Sequence, residues 1–182
     1  CEFRGNAATV GHGGGLCLDG PCRFISRHSL FVGNKAATSG GVLNAEGNHA
    51  DASFMNCTLQ DNEAKELGGA GHFKEQSVIS VRQSTFARNT AKIGGALSVV
   101  DPFSAEIHRQ CIFQDNNTTE YGGAIYLRWL FPNILHLSDS EIQRNTATVG
   151  GTLKKKMNSS ECSLIEGGVF IEVDRHEDIT PN

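Results

Sequence analysis

The chain has 182 residues, of which 38% are hydrophobic and 20% charged, a balance that suits a packed core and excludes a disordered segment. Its formal net charge of -4 and pI near 6.0 offer no broad positive field to a phosphate backbone, so nucleic acid is not an expected partner. No apolar run approaches the ~18 residues of a membrane span. The chain opens at Cys1 without a charged-then-apolar leader, which reads as a mature fragment or an excerpt of a longer protein.

From the first residues onward, an apolar residue stands three places before an Asn. The copies are Phe3 with Asn6, Phe31 with Asn34, Leu59 with Asn62, Phe86 with Asn89, Phe113 with Asn116, and Ile142 with Asn145. Consecutive Asn residues lie 28, 28, 27, 27 and 29 positions apart by subtraction. A Gly pair follows each: Gly14-Gly15, Gly40-Gly41, Gly68-Gly69, Gly94-Gly95, Gly122-Gly123 and Gly150-Gly151. A fixed period of this length implies stacked units, because one unit alone cannot bury its apolar face.

Within a unit, Ser84-Thr85-Phe86 and Cys111-Ile112-Phe113 alternate as a strand with one buried face does. In register, Phe3, Phe31, Leu59, Phe86, Phe113 and Ile142 form one core column. Cys1, Ser29, Cys57, Ser84, Cys111 and Ser140 form a column of small residues beside it. The Asn is expected at a tight corner, where it tolerates positive φ and where stacked amides bond up the column. The Gly pair marks a second bend. Units of this length without a sustained helical period predict an all-β, right-handed parallel β-helix with two or three short strands per coil. Six coils are expected over residues 1–153, with a shortened final coil and exit over 154–182, where Lys154-Lys155-Lys156 reads as an edge guard.

Phe86-Ala87-Arg88-Asn89 with Gly94-Gly95-Ala96-Leu97, and Phe113-Gln114-Asp115-Asn116 with Gly122-Gly123-Ala124-Ile125, resemble the FxxN and GGA(I/L/V) repeats of chlamydial polymorphic outer-membrane proteins. Similar repeats occur in secreted β-helix proteins of algae and other protists. The resemblance spans about residues 1–153 and departs from the pattern at Gly41-Val42-Leu43 and Gly151-Thr152-Leu153. It implies a pectin-lyase-like solenoid and a surface-exposed adhesive or structural protein.

Cys1, Cys57 and Cys111 fall in alternate coils, about 9.6 Å apart at strand spacing, beyond the ~7 Å Cα limit of a disulfide, and read as buried thiols. Only Cys17 and Cys22 are near enough in sequence to be candidates for a local loop disulfide. Asn56, Asn117 and Asn158 are glycosylation acceptors in a secreted eukaryotic chain. Arg27, Arg82 and Arg109 align four places before the core column, with Met55 interrupting, so Arg82-Gln83 is expected beneath Arg109-Gln110; exposed arginines of this kind read first as hydrated or locally paired, and an anion or acidic sugar between the two is the alternative. Trp129-Leu130-Phe131-Pro132 reads as an insertion, either folded over the core or offered to a partner.

Asp61, Arg88 and Asp115 alternate in charge along one column, a solvated face more than an acid/base pair. With no carboxylate cluster and no HExxH spacing, no catalytic residue, metal or cofactor is implied. The expected function is non-catalytic adhesion, display or scaffolding, extracellular or at a cell surface. Expected partners are other protein chains, further repeats of its own chain and cell-surface glycans. A polysaccharide-binding or polysaccharide-cleaving β-helix is the first alternative, because fold does not fix function; a structural unit of an extracellular filament is the second.

Overall fold

The computed structural model describes residues 1–129, 135–137, 139–149 and 169–173. They form four sheets whose strands all pair in parallel with the equivalent strand one coil away. Sheet A carries the core column and comprises Glu2–Arg4, Leu30–Val32, Thr58–Gln60, Thr85–Ala87, Ile112–Gln114 and Glu141–Gln143. Sheet B holds two-residue strands just past each Asn, from Ala7–Ala8 to Thr146–Ala147. Sheet C follows the Gly bend, with Leu16–Asp19, Leu43–Glu46, Gly71–Lys74, Leu97–Val100, Ile125–Trp129 and Val169–Val173. Sheet D comprises Cys22–Arg27, Ala50–Met55, Val78–Arg82, Ser104–His108 and Leu135–Leu137.

The chain is therefore a parallel β-solenoid with four strands per coil instead of two or three. The stretch after each Gly pair divides at a further turn, for example at Glu75 and Gln76, both at positive φ. The described residues complete five turns, and the sixth copy of the pattern contributes Glu141–Gln143 and Thr146–Ala147. Gly150-Gly151 and the boundary expected at residue 153 lie outside the described residues. Val169–Val173 continues sheet C beside Ile125–Trp129. Among the described residues no helix is long and apolar enough to cross a membrane.

Alternation along the strands sets the interior. Phe31, Leu59, Phe86 and Phe113 are fully buried, Ile142 nearly so, and Phe3 packs part-buried on the end. Their register is direct, Phe3 beside Phe31, Phe31 beside Leu59, and onward to Ile142. Phe3 and Phe31 stack at 4.8 Å and Phe86 and Phe113 at 4.7 Å, which is strand spacing expressed in rings. Leu59 breaks the ring stack, and Phe54 of sheet D fills the gap by edge contacts to Phe31 at 5.7 Å and Phe86 at 6.5 Å.

The six Asn residues lie one above another. Nδ2 of Asn6, Asn34, Asn62, Asn89 and Asn116 donates to Oδ1 of the Asn in the following coil at 2.8 to 3.0 Å. The same Oδ1 also accepts the backbone N–H of the preceding Asn. The second Nδ2 hydrogen reaches back to the carbonyl of the core-column residue one coil earlier, as from Asn89 to Leu59 at 2.9 Å. Each interior amide thus has its donors and acceptor filled, as burial requires.

The Asn residues themselves do not take positive φ, contrary to the sequence expectation. That conformation falls one residue earlier, at Gly5, Gly33, Asp61, Arg88, Asp115 and Arg144, with φ of 50° to 64°. The corner turns there, and Asn is required for its amide.

The first Gly pair is also one place earlier than its spacing suggests. Gly13, at φ 65°, stands level with Gly40, and Gly14 packs against Gly41, so Gly15 occupies the position of Val42 and Ala70.

Candidate functional site

Sheet D is the longest-stranded wall on its side of the coil, and period-two alternation sends every second side chain outward. Ala50, Ala52 and Phe54 point to the core, whereas Asp51, Ser53 and Met55 face out. Three outward files result. One runs Arg23, Asp51, Val78, Ser104; the next Ile25, Ser53, Ser80, Glu106; the third Arg27, Met55, Arg82, His108.

Between them lies a cavity of about 330 Å³ lined by Arg23, Asp51, Met55, Val78, Arg82 and Glu106, among others. Asp51 Oδ1 and Arg82 Nε are both buried there, and neither has a hydrogen-bond partner. Arg82 Nη2 stands 3.8 Å from Glu106 Oε2, and His108 Nε2 is 3.8 Å from the same oxygen.

The expected pairing of Arg82 with Arg109 does not form. His108 is the strand partner of Arg82, while Gln83 donates its N–H to the Arg109 carbonyl at the exposed corner. The fifth corner has one more residue than the fourth, so Arg109 and Gln110 both take positive φ where Gln83 alone does. Counting back from the core column crosses that extra residue and misplaces Arg109 by one. Arg82 therefore has His108 beside it in register and the Glu106 carboxylate at 3.8 Å, and the stacked pair of arginines expected to flank an anion does not form.

At the corner where sheet D begins, the Phe103 ring is 63% exposed and lies 6.5 Å from the His49 ring. Phe103 immediately precedes Ser104, the strand partner of the groove residue Val78. Sequence reasoning passed over Phe103, Asp51 and Glu106 as a group. The alternation in Ala50-Asp51-Ala52-Ser53-Phe54 is the signal that marks this wall and its two faces.

Trp129 ends a sheet C strand beside Val173, so it belongs to the wall rather than to an insertion after it. Phe131 lies outside the described residues, as does Asn158. Asn56 is exposed at a corner with φ 50°. Asn117 is exposed on sheet B and accepts a hydrogen bond from Thr146 Oγ1 at 2.6 Å.

Cys17 and Cys22 are free thiols and not a disulfide. Cys17 is exposed between the inward Leu16 and Leu18 of sheet C, whereas Cys22 stands level with the fully buried Ala50 in sheet D, so one faces outward and the other towards the interior. Cys57 and Cys111 are buried in the small-residue column, and burial pushes the Cys111 thiol up, whereas Cys1, expected to be buried with them, is exposed on the first coil. Iodoacetamide labelling followed by peptide mapping is expected to modify Cys17 in the native protein while sparing Cys57 and Cys111 until denaturant is added. Native labelling of Cys111 at the Cys17 rate would refute the buried placement.

The other exposed faces carry ion pairs between neighbouring coils. Arg88 grips Asp61 at 2.7 and 2.8 Å and Arg144 grips Asp115 at 2.7 and 3.0 Å, each through two nitrogens. Lys35 meets Glu63 at 2.8 Å, and Lys74 meets Glu46 at 2.8 Å. These pairs are solvent-exposed and add little stability individually. Among the described residues no group of three or more His, Cys, Asp or Glu is placed to hold a metal ion.

On sheet C, Asn44, His72 and Ser98 form a buried file, with Asn44 Oδ1, His72 Nδ1 and Ser98 Oγ lacking partners. Burial drives the His72 imidazole down to about 4, against the opposing pull of the Ser98 backbone bond and Glu46. A depressed His pKa means that the folded state resists protonation. Stability from this residue is therefore complete above about pH 6.5 and falls as pH drops towards 4, by about 3 kcal/mol in all. Urea unfolding of wild type and His72→Gln at pH 7 and pH 4 measures this, and the variant is expected to lose the smaller amount.

Residues 110–128 match the Chlamydia polymorphic membrane protein (Chlamydia_PMP) repeat. The matched span runs from the corner before sheet A, through Asn116 and the Gly122-Gly123 bend, to sheet C. The chain thus carries repeats of this type. No curated protein and no solved structure matches the chain.

Proposed function

We propose that this chain is a non-catalytic recognition segment of a surface-exposed repeat protein, in which a stiff coil stack presents the groove of sheet D to an extracellular partner. The observation that carries the reading is the groove itself, a concave wall of mixed charged and apolar side chains on strands whose other face is locked into the core. A site on strands holds its side chains more closely than one on loops. The ladder of filled amides and the interleaved rings beneath it keep the outward files in register. Repeats of the polymorphic membrane protein type support placing the chain at a surface, outside the cell.

The test is binding of the purified chain to cells and extracellular-matrix surfaces. Arg82→Glu with Ser80→Arg is expected to abolish binding, while Lys35→Glu on sheet B leaves it intact. Equal binding by all three proteins would overturn the reading.

Polysaccharide cleavage is the second reading, favoured by Asp51 and Glu106 sharing one groove, since glycoside hydrolysis uses a carboxyl pair. Their strands lie two coils apart, and Glu106 has Arg82 and His108 beside it. Release of reducing ends from a polysaccharide panel, lost in both Asp51→Asn and Glu106→Gln, would establish cleavage.

A further inference from the structure

We infer that the chain cuts its own backbone between Asp101 and Pro102, at the corner between Leu97–Val100 of sheet C and Ser104–His108 of sheet D. This is its single Asp-Pro bond. The coils turn this corner with residues in the left-handed region: His49 has φ 64°, Glu75 57°, Gln76 60° and Asp101 49°. Asp by itself tolerates that conformation. A following proline opposes it, because the proline ring clashes with the residue before it and drives that residue towards an extended backbone. The first coil resolves the same conflict with glycine, since Gly20 at φ 76° precedes Pro21. Among the described residues, Asp101 is the only non-glycine residue that combines positive φ with a proline after it.

The corner is held in this conflict from both sides. Asp101 N–H donates to the Arg128 carbonyl at 2.8 Å, and the Asp101 carbonyl accepts from Gln76 N–H at 2.9 Å. Pro102 is buried, and Phe103 N–H donates to the Ser77 carbonyl at 3.0 Å. Strain fixed by its surroundings in this way is released when the bond breaks. The Gln76 N–H also points at the oxygen on which charge grows when the carbonyl carbon is attacked. The charged and titratable neighbours are Lys74 and Glu75, paired with each other in the coil before, Arg128 in the coil after, and His49 beside the Phe103 ring.

The nucleophile is the Asp101 carboxyl. One of its oxygens bonds to the main-chain carbonyl carbon of the same residue, closing a cyclic anhydride, and the C–N bond to Pro102 breaks. The carboxyl proton passes to the Pro102 nitrogen, which leaves as a secondary amine. Water then opens the anhydride, which restores the side-chain carboxyl and leaves Asp101 with a free C-terminal carboxyl. The product is a nicked stack and not two free pieces. Leu97–Val100 stays paired with Gly71–Lys74 and Ile125–Trp129, and Ser104–His108 with Val78–Arg82 and Leu135–Leu137.

The experiment incubates the purified whole chain at pH 5 for several weeks and follows it by denaturing gel and intact mass, with circular dichroism reporting the fold. Pieces 1–101 and 102–182 are expected. They should form about tenfold faster than the equivalent products of a free peptide of residues 97–106, a factor equal to ~1.4 kcal/mol of released strain. Cutting should slow at pH 7, because the step uses the carboxyl proton. Asp101→Gly and Pro102→Ala both relieve the clash, and each should stay whole while keeping the wild-type spectrum. A native chain that stays whole, equal rates from chain and peptide, or cutting that survives Asp101→Gly would each overturn the assignment.

Discussion

Asn89→Ala is expected to lower stability by on the order of 4 kcal/mol, a large share of the ~5–15 kcal/mol that holds a typical domain folded. The side chain donates to Asn116 Oδ1 and to the Leu59 carbonyl, and its Oδ1 accepts from both nitrogens of Asn62. Removing it strands the Asn62 donors and the Leu59 acceptor in an interior without water. Asn89→Asp repairs only the acceptor half, since a carboxylate cannot donate to Asn116 or Leu59, and it buries a charge. Asn6 provides the internal comparison because it is exposed and its side chain bonds only to Asn34. Asn6→Ala should cost less than about 1 kcal/mol. Urea titration of the two variants decides the matter, and equal midpoints would mean that the amide ladder does not hold the coils together.

Gly95→Ala is expected to destabilise by about 3 kcal/mol or more, through steric overlap and not through backbone strain. Gly95 does not take positive φ, yet a Cβ on it would overlap the Gly123 carbonyl oxygen and lie 2.9 Å from the backbone N and O of Asn117. Backbone atoms of the adjacent coil cannot rotate aside as a side chain does, so the coils must separate and weaken the ladders on either side. Gly20→Ala isolates the conformational contribution. Gly20 has φ 76° with open space around its would-be Cβ, and should cost about 1 kcal/mol. Thermal melts of both variants give the comparison. If Gly20→Ala is the more damaging, close approach of the coils is not what fixes glycine at position 95.

The columns were legible because the same chemistry is repeated in every copy. Phe31, Phe86 and Phe113, and the six Asn residues, are named by spacing alone, and the structure sets each beside its neighbour. What spacing missed lies in the half-coil that does not repeat. Outward positions of sheet D read Ile25, Ser53, Ser80 and Glu106, so nothing in any one copy announces the next. The single extra residue in the fifth corner then shifted Arg109 off the file it was expected to join. Phe54 was missed for a related reason: its contacts run across the coil to Phe31 and Phe86, a relation invisible when copies are compared only with one another. Positive φ before the Asn was hidden because that position hosts Gly, Asp and Arg alike.

Within the Asn file, every interior amide gives one hydrogen to the Asn after it and accepts from the Asn before it. Such one-way wiring makes any turn a plug at one end and a socket at the other. A whole turn spliced between Asn62 and Asn89 would find its donor and its acceptor already waiting, whereas a half turn, or one laid in backwards, would find neither. Growth and shrinkage of the rod are thereby restricted to entire turns in a single orientation, and lineages can vary its reach by duplication without redesigning its interior.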